Sequence, residues 1–191
     1  AFFPIGTDGF KRYIIEQNIC VKFAEKNREL MMLRTLQAIE TVLGKVKHGK
    51  IINKPHNFVA WENHFKENVL VHRKGACRAR QGEIGMIPGS QGSSSYIVYG
   101  LGEKNSFISC SHGAGRKMSR SKARRELSLE GEKSKLDQKG VIHMMKTDDD
   151  LDEAPSAYKD IDQVMENQKE LVKILVKLEP FNAGKLPDNF V

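Results

Sequence analysis

A stretch rich in glycine and serine, residues 82–102, lies in the middle of the chain and restricts the folds open to it. It predicts loops with a short strand at residues 96–99, Tyr-Ile-Val-Tyr, whose residue types favour strands. The loop before that strand, residues 88–95, offers backbone N–H groups and hydroxyls of the kind that cradle phosphate or carboxylate. It lacks the Gly-Lys-Ser/Thr ending of a Walker A loop, and a flexible surface linker commonly has the same composition.

Helical patterns flank this stretch. Residues 7–43 predict one long helix with at most one break, because apolar residues recur at a period near 3.6. Thr7 or Asp8 can cap its start and Gly44 can end it, and the simplest interpretation is a scaffold helix packed on a core. A last helix is predicted after residues 154–162. Its apolar face comprises Val164, Leu171, Val172, Leu175 and Leu178, and Pro180 ends it.

Short elements are predicted between these helices, so the expected fold class is α+β, with small mixed sheets and long flanking helices. Strands are expected at residues 69–76 and 107–110, and a short helix is expected from a Ser119 cap to about Leu127. The remaining segments are predicted to be irregular: a basic loop or short strand at 45–54, a solvated charged loop at 130–140, an acidic solvated turn at 148–153 and a tail at 181–191.

Charge and cysteine content narrow the functional classes. The 191-residue chain has a formal net charge of +7, which favours polyanionic partners, with nucleic acid first. Its three cysteines form no CxxC pair, so neither a zinc ribbon nor a disulfide framework is indicated, and a reducing cytoplasmic setting is expected. No apolar run has the length of a membrane span and no signal peptide is recognisable. The start at Ala1 suggests a processed, trimmed or partial sequence.

The strongest candidate for chemistry is His112, in the string Ser-Cys-Ser-His-Gly-Ala-Gly-Arg-Lys-Met-Ser-Arg at residues 109–120. Small residues allow a ligand to approach the backbone, and Arg116 and Arg120 provide planar forks for phosphate. In this setting a histidine can serve as base, metal ligand or nucleophile. Cys110 is too close in sequence to pair with it as nucleophile and base, which normally meet across a fold.

Three other histidines, His56, His64 and His72, are spaced eight residues apart. That spacing can place them on one face, but a three-histidine metal site normally includes closer pairs or a bracketing carboxylate. We therefore do not predict a metal site from this spacing.

Several segments, in order, resemble the RtcB family of GTP-dependent tRNA-splicing RNA ligases. They are Pro-His-Asn-Phe at 55–58, Arg-Lys-Gly-Ala at 73–76, Ile-Pro-Gly-Ser-Gln-Gly at 87–92 with Ser95-Tyr96, Ser-His-Gly-Ala-Gly-Arg-Lys-Met-Ser-Arg at 111–120 and Ala-Tyr-Lys-Asp-Ile-Asp at 157–162. The resemblance covers nearly the whole chain. It implies that residues 1–191 are the C-terminal part of a single RtcB-like ligase domain.

The resemblance also implies a mechanism. Such a ligase joins RNA ending in a 2′,3′-cyclic phosphate or 3′-phosphate to RNA with a 5′-hydroxyl, in tRNA splicing or RNA repair. His112 matches the histidine that attacks the α-phosphorus of GTP to form a covalent histidine–GMP, which passes GMP to the RNA 3′-phosphate. Manganese ions would stabilise charge on the transferred phosphate.

Individual roles follow from the same resemblance. His56 matches a Mn²⁺ ligand, and a contacting set for the guanine nucleotide comprises Asn57, Pro88, Gly89, Ser90, Gln91, Ser95, Gly113, Ala114, Gly115 and Tyr158. Counting from the last helix places Lys185 where the family has its guanine-contacting lysine, although Leu186 follows instead of glycine. A charge argument assigns Arg116 and Arg120 to RNA phosphate or the triphosphate.

Other family motifs have no match in this chain. The Asp-x-x-Cys motif and the other N-terminal metal motifs are missing, and the string Asn-His-Phe-Lys-Glu at 63–67 lies in the wrong order to replace one of them. His64 is therefore expected to face solvent or to pack. The expected partners are RNA, either tRNA halves or broken ends, and an activating protein or the missing N-terminal half. The alternative function is an inactive or split fragment that binds guanine nucleotide or RNA without chemistry.

Overall fold

The structure is a computed structural model that describes residues 2–180. It consists of helices and small antiparallel sheets, so the predicted α+β class is confirmed. The chain divides into two compact units, one up to Cys77 and one from Arg78 onward. The prediction that residues 1–191 are one part of a single ligase domain remains a prediction.

In the first unit, helix α1 (Asp8–Leu43) is followed by the hairpin strands β1 (Asn57–His64) and β2 (Glu67–Lys74). Thr7 caps α1 by accepting a hydrogen bond from the Phe10 N–H at 3.3 Å, as predicted. The helix is continuous and ends at Gly44, whose φ of 76° few other residues adopt. Residues 45–56 contain no helix or strand, which agrees with the predicted basic loop.

The hairpin is antiparallel, with Asn57 opposite Lys74 and His64 opposite Glu67. Its two-residue turn uses positive φ at Phe65 and at Lys66, the combination that a type I′ turn requires. One face of α1 contacts β1, and Tyr13 of α1 stacks on His72 of β2 with 5.8 Å between ring centroids. None of the residues of α1 is buried, so the prediction of a scaffold helix packed on a core was wrong for this unit.

Strand β3 (Ala76–Arg78) crosses the boundary between the units. The second unit contains a three-stranded antiparallel sheet in the order β4 (Ile84–Ile87), β5 (Ser95–Gly100) and β7 (Val172–Leu178). The central strand β5 contains the predicted strand at 96–99, and its Val98 is buried with Ile87 of β4. Strand β6 (Ser109–Ser111) begins later than predicted, because Phe107 and Ile108 both have positive φ.

The described part of the second unit, up to residue 180, also contains the helices α2 (Arg120–Glu126), α3 (Leu129–Gln138) and α4 (Ile161–Glu166). Ser119 caps α2 through a hydrogen bond from the Lys122 N–H at 3.2 Å, as predicted. Short 3-10 segments lie at Lys104–Ser106, Asp148–Glu153 and Pro155–Ala157. A small core joins α3 to the segment after it and comprises Leu136, Val141, Met145, Leu151 and Ala154.

Two predictions for this unit were wrong. Residues 130–140 are largely the helix α3, because Leu136 is buried in the core and the buried Glu132 carboxylate accepts from the Ser156 N–H at 3.0 Å, while most other side chains of the helix are exposed. The predicted last helix is instead the short α4 followed by strand β7. In β7 the β-branched residues Val172, Ile174 and Val176 alternate with other side chains, which is a strand pattern.

Candidate functional site

The site is arranged around the turn that follows β6, where His112 is half-buried. The turn begins at Ser111, whose N–H donates to the Oε1 of the buried Gln168 at 2.9 Å. The Ser111 hydroxyl donates to the Gly113 carbonyl at 2.5 Å and accepts from the Gly113 N–H at 3.3 Å. The backbone on both sides of His112 is therefore held by hydrogen bonds within the second unit.

This turn contacts the Gly/Ser loop, residues 88–95. The Ala114 N–H donates to the Pro88 carbonyl at 3.0 Å. A Cβ on Gly113 would lie 3.0 Å from the same carbonyl oxygen, so glycine allows the two segments to approach closely. The structure thus brings together Pro88, Gly113 and Ala114 from the predicted set, next to His112.

The loop is tightly wound. Several of its backbone N–H groups and hydroxyls, which were expected to be available to an anion, form hydrogen bonds within the loop. The Ser93 hydroxyl accepts from the Ser90 N–H at 2.6 Å, and the Ser95 hydroxyl accepts from the Gly89 N–H at 3.3 Å. A Cβ on Gly89 would lie 2.2 Å from the Ser94 carbonyl oxygen, a distance that no side chain tolerates. Several groups expected to hold an anion therefore hold the loop itself in this conformation.

The loop is also anchored to later segments of the second unit. Lys139 donates from Nζ to the Gly92 carbonyl at 2.8 Å, and Gln91 donates from Nε2 to the Glu153 carbonyl at 3.4 Å. These anchors connect the loop to the end of α3 and to the acidic 3-10 turn Asp148–Glu153.

After the turn, the chain runs beside residues 157–159 in a short antiparallel arrangement. The Lys159 N–H donates to the Gly115 carbonyl and the Lys117 N–H donates to the Ala157 carbonyl, each at 2.9 Å. Gly115 has a φ of 70°, which favours glycine at this position. The arrangement forms an isolated bridge between Arg116 and Tyr158, and so places Tyr158 beside the His112 segment.

Arg116 is extensively bonded within the protein. Its guanidinium lies 5.0 Å from the centroid of the Tyr158 ring and donates from Nη1 to the Tyr158 hydroxyl at 3.2 Å. It also donates from Nε to the Met118 carbonyl at 3.1 Å and from Nη2 to the Asp152 carbonyl. The guanidinium therefore covers one face of the Tyr158 ring and is fixed in orientation.

Arg120 and Arg124, on α2, form ion pairs with the acidic 3-10 turn. Arg120 Nη2 lies 3.2 Å from Glu153 Oε1, and Arg124 Nη2 lies 2.8 Å from Asp152 Oδ2. The prediction of a merely solvated turn at residues 148–153 was wrong, because this turn provides the counter-charge for Arg120, which was assigned to phosphate, and for Arg124.

Tyr158 and Glu153 form a hydrogen bond in which the phenol donates to Glu153 Oε2. Burial, together with this bond to a carboxylate, raises the pKa of the Tyr158 phenol above its usual value. The phenol therefore keeps its proton at neutral pH.

His56 and Asn57 lie in the first unit, at the start of β1. The Gly75 N–H donates to the His56 carbonyl and to Asn57 Oδ1, each at 3.0 Å. These bonds fix the backbone of the Pro-His-Asn-Phe segment against the end of β2.

The other two evenly spaced histidines have structural contacts. His64 is buried and its Nε2 lies 2.9 Å from Glu62 Oε2, so the packing alternative for this residue was right. His72 Nε2 lies 2.9 Å from the Tyr13 hydroxyl. Across residues 2–180 the structure brings no three His, Cys, Asp or Glu side chains together to hold a metal ion. His56 alone does not fit a complete Mn²⁺ site, since such a site needs several donors.

Lys185 lies outside the described residues. Among those described, no helix combines the length and apolar composition needed to cross a membrane.

Comparison with known proteins decides the family. The family model described as tRNA-splicing ligase RtcB matches residues 1–185. The chain belongs to the RtcB family. It is 43% identical over 184 residues to an RNA-splicing ligase RtcB1 of Escherichia coli strain ATCC 25922, and 41% identical over 184 residues to RNA-splicing ligase RtcB of E. coli strain K12.

Each of these matches covers 93% of the chain but 44% of the relative. The tRNA-splicing ligase RtcB of Nanoarchaeum equitans is 32% identical over 203 residues, which is 93% of the chain and 43% of that protein. The chain therefore spans less than half the length of these curated RtcB relatives.

Sequence reasoning missed three side chains that support the RtcB motifs: Glu153, Gln168 and Lys139. The signal for Glu153 was available, because the acidic run at 148–153 has the opposite charge to the basic run at 116–125. Gln168 and Lys139 carried no local signal, since each bonds a backbone group more than 40 residues away.

Proposed function

We propose that this chain forms the nucleophile and guanylate-binding part of an RtcB-type RNA ligase. In the proposed reaction, RNA with a 2′,3′-cyclic phosphate or 3′-phosphate is joined to RNA with a 5′-hydroxyl at the expense of GTP. The observation that carries the proposal is the contact between the His112 turn and the Gly/Ser loop, through the Ala114 N–H and the Pro88 carbonyl. Family membership supports it independently.

The first step assigns His112 as the nucleophile. A neutral imidazole nitrogen attacks the α-phosphorus of GTP, a P–N bond forms, and the P–O bond to the pyrophosphate breaks so that pyrophosphate leaves. The small residues Gly113 and Ala114 allow the nucleotide to approach the backbone. Arg116 and Arg120 lie after the nucleophile in the chain, where guanidinium groups can attract the phosphates. GMP would then pass to the RNA 3′-phosphate, and the 5′-hydroxyl would displace it.

Tyr158 is proposed as the aromatic surface for guanine. Because Arg116 covers one face of its ring at 5.0 Å, a base would stack on the opposite face. Asn57 and the loop residues Gly89, Ser90, Gln91 and Ser95 complete the proposed nucleotide contacts, with Lys185 beyond the described residues.

Manganese is proposed as the metal, with His56 as one ligand. One imidazole holds a divalent ion weakly, so further donors must come from outside residues 2–180. When bound, Mn²⁺ would neutralise charge on the phosphates.

Labelling with GTP tests the assignment of His112. The chain is incubated with α-labelled GTP and Mn²⁺, alone and together with the segment of an E. coli relative that it does not match. We expect an acid-labile, base-stable adduct that disappears in His112→Ala and persists in the matched control His48→Ala, whose histidine lies in the exposed loop before β1. Label that survives in His112→Ala would exclude His112 as the nucleophile.

A second candidate is a binding module that holds guanine nucleotide or RNA ends without chemistry. The observation that favours it is that the chain covers 44% of its E. coli relatives while its described residues contain no metal cluster. In this case RNA binding would fall with salt, and no adduct would form until the other segment is supplied.

A further inference from the structure

Glu153 is the point at which several segments of the proposed nucleotide site meet. Its Oε2 accepts from the Tyr158 hydroxyl, and its Oε1 lies 3.5 Å from Arg116 Nη1 and 3.2 Å from Arg120 Nη2. Its backbone carbonyl accepts from Gln91 Nε2 at 3.4 Å. One residue thus contacts the Gly/Ser loop, the segment after His112, the start of α2 and the proposed guanine platform.

The position of Glu153 is itself fixed. It is the last residue of the 3-10 turn Asp148–Glu153, between Leu151 and Ala154, which are both buried in the small core with Leu136. Its carboxylate is therefore presented by packed backbone, although the side chain is 43% exposed. A group presented in this way can orient its partners at little entropic cost.

The Glu153 carboxylate neutralises two arginines and orients the Tyr158 hydroxyl. Arg116 and Arg120 would repel each other without a counter-charge, and Glu153 Oε1 accepts from both. The Tyr158 phenol directs its proton to Oε2, so its oxygen lone pairs remain available to accept from Arg116 Nη1 at 3.2 Å. Removal of the carboxylate would take away the acceptor of the Tyr158 hydroxyl and the counter-charge of Arg116, whose guanidinium would keep its bonds to the Met118 and Asp152 carbonyls.

We infer that Glu153 is a positioning residue that fixes Tyr158 and Arg116 in the orientation that the guanine nucleotide requires. The inference rests on the proposed function of this site. It predicts that removing the negative charge of Glu153 changes the affinities for a guanine nucleotide and for a simple phosphate anion in opposite directions. Recognition of the nucleoside should weaken because Tyr158 loses its orientation, whereas attraction of a simple phosphate anion should rise because one negative charge has gone.

The test compares Glu153→Gln and Glu153→Asp with the matched control Asp149→Asn. Asp149 lies on the same 3-10 turn, its side chain is 88% exposed, and its ion pair is with Arg124 at 3.7 Å. The affinities of the full chain for GTP and for inorganic pyrophosphate are measured by calorimetry, and circular dichroism verifies folding.

For Glu153→Gln we expect GTP binding to be about tenfold weaker or worse, and pyrophosphate binding to be about twofold tighter or more. Glu153→Asp should recover part of the GTP affinity, and Asp149→Asn should leave it unchanged. A spectrophotometric titration should show the pKa of the Tyr158 phenol lowered in Glu153→Gln, with Tyr158→Phe identifying the signal.

The outcomes separate the alternatives. Equal losses for both ligands would indicate a merely structural role, and unchanged GTP affinity in Glu153→Gln would also overturn the inference while the proposed function stands. If the unsubstituted chain binds pyrophosphate but has no preference for GTP, the proposed guanylate site fails and the inference fails with it.

Discussion

At the residue scale, Glu62 in the first unit shows how a buried charge is tolerated. Its two carboxylate oxygens accept bidentate hydrogen bonds from Arg73 at 2.8 Å each, and the three side chains of Glu62, His64 and Arg73 are 6%, 3% and 1% exposed. The hydrogen bonds from Arg73, opposed by burial, lower the pKa of Glu62 to about 2. The stabilisation from this carboxylate is therefore fully present above its usual pKa of 4.5 and is lost as the pH falls toward 2.

Glu62→Gln should therefore lower the free energy of unfolding at neutral pH by about 2 to 3 kcal/mol, because it leaves Arg73 buried without its counter-charge. Urea unfolding at several pH values measures this effect. The variant should lose less stability than the wild type between pH 4.5 and about 2. Glu67→Gln, at an exposed position of the same hairpin, is the control. An unchanged pH dependence in Glu62→Gln would contradict the assignment.

Gly89 gives a second prediction at this scale. Gly89→Ala should destabilise the loop, because its Cβ would lie 2.2 Å from the Ser94 carbonyl oxygen. We expect a loss of about 1 to 3 kcal/mol in thermal unfolding, accompanied by loss of GTP binding. Gly85→Ala is the matched control in the neighbouring strand, since its Cβ would meet Val98 at an ordinary 3.5 Å. Similar losses in both variants would show that the loop has no special requirement for glycine.

At the element scale, α1 has apolar side chains on two faces. One face lies toward the hairpin, where Tyr13 stacks on His72. The opposite face exposes Ile15, Ile19, Phe23, Leu30 and Leu33. Because the side chains of this opposite face are exposed, we expect them to contribute little to the stability of this chain.

The double substitution Ile19→Glu with Phe23→Lys should accordingly change the free energy of unfolding by less than about 0.5 kcal/mol. Tyr13→Ala should cost about 1 to 2 kcal/mol, because the ring contact and the hydrogen bond to His72 are both lost. Thermal unfolding of both variants measures the two effects. If the double variant unfolds as readily as Tyr13→Ala, the exposed face contributes to stability within the chain.

At the scale of the whole molecule, the chain has a formal net charge of +7. It belongs to a family whose relatives are named RNA-splicing ligases. Part of the basic surface is neutralised, since Arg120 and Arg124 are paired with Glu153 and Asp152. Binding of RNA by this chain would therefore rely on the remaining lysines and arginines.

We expect the affinity for single-stranded RNA to fall at least about tenfold between 50 and 200 mM salt, because phosphate contacts release counterions. Fluorescence anisotropy with a labelled oligonucleotide measures this dependence. The control is an uncharged peptide-nucleic-acid strand of the same sequence, which should bind weakly at both salt concentrations. Salt-independent RNA binding would exclude the electrostatic mode.

Many features of this structure are determined by the sequence alone, because the signals for them are local. The cap at Thr7, the end of α1 at Gly44 and the cap of α2 at Ser119 depend on neighbouring residues. The motif around His112 indicates the RtcB family, which the family model confirms. The strand at residues 96–99 followed from residue type, and the alternating Val172, Ile174 and Val176 offered the same signal for β7.

Other features were decided only by the tertiary structure, because they depend on partners far away in sequence. The burial of Leu136 among Leu151 and Ala154 makes residues 129–138 a helix on a core, although their charge suggested a loop. The pairing of Arg116 and Arg120 with Glu153 joins residues more than 30 positions apart. Local patterns fix where elements begin and end, whereas the partner of a long charged side chain depends on which segments the core brings together.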